Sequence, residues 1–139
     1  MKILLASFTI IAMTGCVSTD LQKVVKIPTT STVSTPEVVS TPLPKICKDA
    51  EANRVAASDA YNGKGFSTSG KVVLISDGFK PRYRILIEAG DITIHAGTND
   101  KAAVSGLAVE SDTEVNGVIT DVTVDYSGCS ITLANAVFS

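Results

Sequence analysis

Cys16 is the residue whose setting points to a definite reaction. It follows Met13-Thr14-Gly15, and ahead of those stand a single cation, Lys2, and an uncharged run from Ile3 to Met13. That run has the length of a signal-peptide apolar region and is too short to span a bilayer stably. Small residues before a cysteine let a peptidase approach the backbone, and the thiol is the group to be acylated. The pattern predicts a signal over residues 1–15 and a lipid-modified mature terminus at Cys16; an ordinary secretory signal with a chance cysteine is the alternative. Cys47 and Cys129 would then face an oxidising compartment, where an even pair favours a disulfide; two unrelated buried thiols are the other reading.

The remaining reactive side chains are sparse. His95 lies in the alternating stretch Ile92-Thr93-Ile94-His95-Ala96, on the face opposite Ile92 and Ile94, and reads as a surface or half-buried imidazole. Glu110, Asp112 and Glu114 alternate onto one face, where they could hold a cation or meet a basic partner; a solvated sheet edge is the favoured reading. With one histidine and no cysteine pair at ligand spacing, no metal is expected. There is no nucleophile elbow and no Gly-rich phosphate loop, so neither an enzyme nor a cofactor is expected. Lys71, Phe79, Lys80, Arg82, Tyr83 and Arg84 form the one concentration of cations in the folded part, interleaved with two aromatics. They are the candidate binding rim.

Met13-Thr14-Gly15-Cys16 resembles the bacterial lipobox, whose usual form is Leu, a small residue, Gly or Ala, then Cys. Val17 stands where, by the same resemblance, an aspartate would retain a lipoprotein at the inner membrane, so the expectation is an outer-membrane anchor with the domain in the periplasm. From Ile46 onward eight cations face twelve acids, a formal charge of minus four. Clustered Lys and Arg are what phosphate backbones attract, so nucleic acid is a disfavoured partner. The expected contacts are the membrane through the lipid, and an envelope protein or glycan at the rim.

These residues have to be positioned by one small domain, since 139 residues leave no room for two. Residues 16–45 carry the lipidated cysteine and then a stretch rich in Ser, Thr and Pro, in which Val33-Ser34-Thr35-Pro36 is echoed by Val39-Ser40-Thr41-Pro42. Proline there predicts a disordered tether sampling extended conformations. Residues 46–139 are the expected domain. Helical spacing runs from Asp49 to Ala60 and should stop at Asn62-Gly63. Period-two patterning then predicts strands over Gly65–Ser76, Arg82–Ala89, Ile92–Ala96, Thr113–Val124 and Cys129–Phe138, with a short helix between Thr98 and Ala108 capped by Thr98 or Asn99. Gly70 and Gly117 fall inside strands, where glycine marks a bulge or a bend.

Five short strands with a helix between the third and fourth is the order of an OB-fold barrel, here a mainly β domain behind one N-terminal helix. Tyr61-Asn62-Gly63-Lys64, Ser69-Gly70-Lys71-Val72, Val115-Asn116-Gly117-Val118 and Cys129-Ser130-Ile131-Thr132-Leu133 resemble the tRNA_anti-like family of bacterial OB-fold lipoproteins and secreted proteins. The resemblance implies a helix ahead of the barrel and a cysteine in the last strand, and supplies no catalytic residue. The reading it supports is an envelope-anchored, non-catalytic binding module. A structural or stress-related lipoprotein without a ligand, or an exclusion lipoprotein of a phage or plasmid, is the alternative.

Overall fold

The computed structural model describes residues 35–139. The signal over residues 1–15, Cys16 and the first part of the expected tether lie outside the described residues. The chain enters the domain earlier than position 46. Val38 forms a parallel bridge with Gly65, closed by Val39 N–H donating to the Gly65 carbonyl at 2.7 Å and Gly65 N–H donating to the Glu37 carbonyl at 2.8 Å.

Two short helices replace the single predicted one: α1 (Leu43–Ala52) and α2 (Arg54–Tyr61). Pro44 sits in the first turn of α1, where a missing N–H costs nothing because no intrahelical acceptor exists for it. The proline that argued for tether therefore helps to start a helix. Asn53, with an extended backbone, breaks the run, and its side chain accepts from Ala56 N–H at 3.1 Å as the cap of α2. Ile46, Ala50, Ala57 and Tyr61 point into the core. Between the helices, the Lys45 ammonium at 2.7 Å and the Tyr61 hydroxyl at 2.6 Å both engage the Asp49 carboxylate and hold its pKa below the ordinary aspartate value.

The strands are β1 (Gly65–Asp77), β2 (Tyr83–Ala89), β3 (Ile92–Thr98), β4 (Asp112–Asp125) and β5 (Gly128–Phe138), in the closed order β1-β2-β3-β5-β4. All neighbours are antiparallel except β3 and β5, which run parallel. This is the expected five-stranded barrel. Its closure depends on β1, which pairs with β4 from Gly65 to Lys71 and with β2 from Lys71 to Asp77. Gly70 stands at that changeover, where a β-carbon would lie 2.7 Å from Ile87 Cγ2. Alternate residues of every strand fill the interior: Val72, Ile85, Ile87, Ile94, Val115, Ile119, Val122, Ile131 and Leu133 are buried.

The short helix α3 (Lys101–Ser105) is capped by Asp100, whose Oδ1 accepts from Ala102 N–H at 2.8 Å, rather than by Thr98 or Asn99. Thr98 is instead buried as the last residue of β3. Cys47 and Cys129 form a disulfide, with Cα atoms 5.8 Å apart, tying α1 to the start of β5. No helix among the described residues is long and apolar enough to cross a membrane.

Candidate binding groove

The outward face of β2 carries Arg84, Leu86 and Glu88, because Tyr83, Ile85 and Ile87 take the inward one. Strand β1 meets it through a bulge. Val72 lies opposite Ile87 and Leu74 opposite Leu86, so Val73 is the extra residue and the alternation of β1 changes phase. Val72 and Ile75 consequently face the core, while Leu74 is turned outward and left 47% exposed.

Register then aligns one row of side chains across four strands. Leu74 pairs with Leu86, Leu86 with His95, and His95 with Thr132. Beside it runs a second row, Ser76, Arg84 and Gly97. Pro81 closes over Gly97, where a β-carbon would lie 2.6 Å from Pro81 Cγ. The two rows floor a groove of about 1060 Å³ whose lining includes Phe79, Lys80, Arg82 and Asn99 at the end formed by the β1–β2 loop, and Thr120, Ser130 and Asn135 from β4 and β5.

The β1–β2 loop of the cationic wall is held in place from within and from the residue that follows β3. Gly78 N–H donates to the Arg82 carbonyl at 2.5 Å, and Arg82 N–H donates to Asn99 Oδ1 at 2.9 Å. The Arg84 guanidinium donates to the Lys80 carbonyl at 3.4 Å, and the Arg82 guanidinium lies 5.6 Å from the Tyr83 ring centroid. Lys80, Arg82 and Arg84 therefore edge the groove, and among the described residues no carboxylate lines it. In a domain that carries more acids than cations, this is a local reversal of sign.

Four of the six rim residues expected from sequence, Phe79, Lys80, Arg82 and Arg84, come together at this end. Two do not. Tyr83 is buried at 9% exposure, since the alternation that sends Ile85 and Ile87 inward sends it inward too. Lys71 lies away from the groove at the β1–β4 junction, with Nζ 3.6 Å from Glu110. Of the acidic trio, Asp112 and Glu114 share the exposed face of β4, Glu114 accepts from the Ser67 hydroxyl at 2.8 Å, and among the described residues no three such groups come together to hold a metal ion. Leu74, Leu86, His95 and Thr132 were not among the expected binding residues. Their signal was an apolar residue at an outward position on two adjacent strands, which only register reveals.

No family model matches this chain, and no curated protein matches it. Among solved structures, it is similar to a putative nucleic acid-binding lipoprotein from Klebsiella pneumoniae subsp. pneumoniae MGH 78578. The TM-score is 0.53 and the identity 19%, with 75% of this chain and 92% of that chain covered. At that identity the likeness is one of fold.

Proposed function

We propose that this chain is an envelope lipoprotein, acylated at Cys16 and anchored at the outer membrane, whose barrel is a non-catalytic binding module working through the groove across β1, β2, β3 and β5. One observation carries the groove reading: two leucines are held outward on adjacent strands, beside three cations and, among the described residues, no carboxylate. Apolar side chains on the wet face of a small barrel are not needed by the core, and placing them beside cations that form no ion pair among the described residues suits recognition. The anchor reading rests on the pattern ending at Cys16 and agrees with the lipoprotein whose fold this barrel shares.

The test is photo-crosslinking in the cell envelope. A photoreactive side chain placed at Leu86, and separately at His95, should yield one reproducible adduct, whereas the same group at exposed Asp59 on α2 should not. Adducts no stronger from the groove than from position 59 would refute the groove and favour a structural lipoprotein without a ligand.

A further inference from the structure

We infer that the ligand of this groove is an acidic polypeptide segment with interspersed apolar side chains, presented in extended form by another envelope protein. The inference rests on the reading of the groove as the working face and adds the chemical class of what enters it. Charge complementarity sets the sign. Lys80, Arg82 and Arg84 line one end without a carboxylate among the described residues to neutralise them; the loop backbone that carries Lys80 and Arg82 is fastened by Gly78 and Asn99, and Arg84 stands on β2, so the cations are positioned before binding.

The floor decides between anionic polymers. Single-stranded nucleic acid gains much of its affinity from successive bases stacked on aromatic platforms. Here the floor row is Leu74, Leu86, His95 and Thr132, with a single imidazole among aliphatic and hydroxyl side chains, and among the described residues the lining contains one other aromatic, Phe79, which is 89% exposed at the rim, so no succession of platforms runs along the groove. Leucines offer aliphatic contact without a stacking surface, which matches side chains such as leucine or valine rather than bases. An acyl chain would need apolar walls on all sides, but the barrel interior is filled by its own buried isoleucines and valines, and the groove lies open on the outer face. A polypeptide meets both halves, with carboxylates toward the arginine and lysine end and apolar side chains over the leucines. Ser130, Thr132 and Asn135 on β5 offer hydrogen bonds to its backbone.

The experiment uses the acylated protein in detergent micelles and fluorescence anisotropy with three labelled probes: a peptide alternating glutamate and leucine, its lysine and leucine counterpart, and an oligothymidylate. The acidic peptide should bind at least about tenfold tighter than either of the others, and added salt should weaken it. The Arg82→Glu/Arg84→Glu variant, with its thermal midpoint checked against the parent, should lose that preference or reverse it. Leu86→Ser should weaken the acidic peptide while leaving its preference over the lysine peptide. Equal or tighter binding of oligothymidylate, or a preference that survives charge reversal, overturns the inference. If groove crosslinks from Leu86 persist alongside such a result, only the peptide class is wrong; if they are absent too, the groove reading falls with it.

Discussion

Removing the Cys47–Cys129 bond should cost this domain a large part of its thermal stability. The two cysteines are 82 residues apart in sequence, so the bond closes a loop that spans most of the folded chain. Loop-closure entropy for about 83 residues is about 15 cal/mol/K, or about 4.5 kcal/mol near room temperature. With about 105 ordered residues and about 2.1 cal/mol/K of unfolding entropy each, the melting midpoint moves by about 20 °C. Both cysteines are only partly buried, so a Cys47→Ala/Cys129→Ala variant leaves little cavity to confuse the reading. Exported protein should be melted by circular dichroism with and without reductant, and the double variant melted beside it. The structure adds a spatial signature. Since Ile46, next to Cys47, is fully buried, α1 should show the largest loss of amide protection when the bond is absent. A midpoint that moves by less than about 3 °C in both the reduced protein and the double variant would refute the reasoning, because nearly all of the loop entropy would then be missing.

Gly70→Val and Gly117→Val should each destabilise the barrel by about 1–3 kcal/mol in denaturant titrations, because a β-carbon meets the Glu88 carbonyl and Ile87 at the first site, and the Ala134 carbonyl at 3.0 Å and Leu133 at 3.1 Å at the second. Gly106→Val, at a position with open space around it, should change stability by no more than about 0.5 kcal/mol, and equal losses at all three would contradict the bend. Asp49 ionises more readily folded than unfolded, so its contribution is present above the ordinary carboxylate range and lost as pH falls through its lowered folded pKa. The midpoint difference between the parent and Asp49→Asn should accordingly be largest near neutrality and shrink in acid, and a difference constant across that range would show the Lys45 and Tyr61 contacts to be idle. Cys16→Ser should abolish lipid labelling and leave soluble protein or unprocessed precursor, whereas a processed, membrane-bound form would overturn the anchor.

The strands were legible because each buries one face. Alternation from Tyr83 to Ile87 or from Ile92 to Ile94 follows directly from a filled interior, and the strand limits observed fall within two residues of those expected. The same rule was enough to withdraw Tyr83 from the rim, since it shares the parity of Ile85 and Ile87. Leu74 was not legible. Its outward position depends on an extra residue at Val73, in a run of four apolar residues from Val72 to Ile75 that carries no turn residue to announce a bulge. Gly70 did announce a distortion, and the structure places there the changeover of β1 from one partner to the other, with the bulge just beyond it. Cross-strand alignment of Leu74, Leu86, His95 and Thr132 is a property of register. Register is set by closure of the whole barrel, which no single segment encodes. The early start of α1 was hidden because proline opposes a helix in its interior and suits its first turn, and the two cases differ only in where the helix begins.

The position of the disulfide also defines how the domain bears load. Traction on the chain at residue 35 first meets the two hydrogen bonds between the Val38 segment and Gly65, then the first turn of α1. Freeing the chain as far as Cys47, about 40 Å of extended length, also means drawing Val39, Leu43 and the fully buried Ile46 out of the core. Beyond that point the covalent link to Cys129 divides the force between α1 and β5, so the helix cannot be peeled from the barrel one contact at a time. The segment before Cys47 can lengthen only by giving up core contacts, and the disulfide sets a hard stop to that extension.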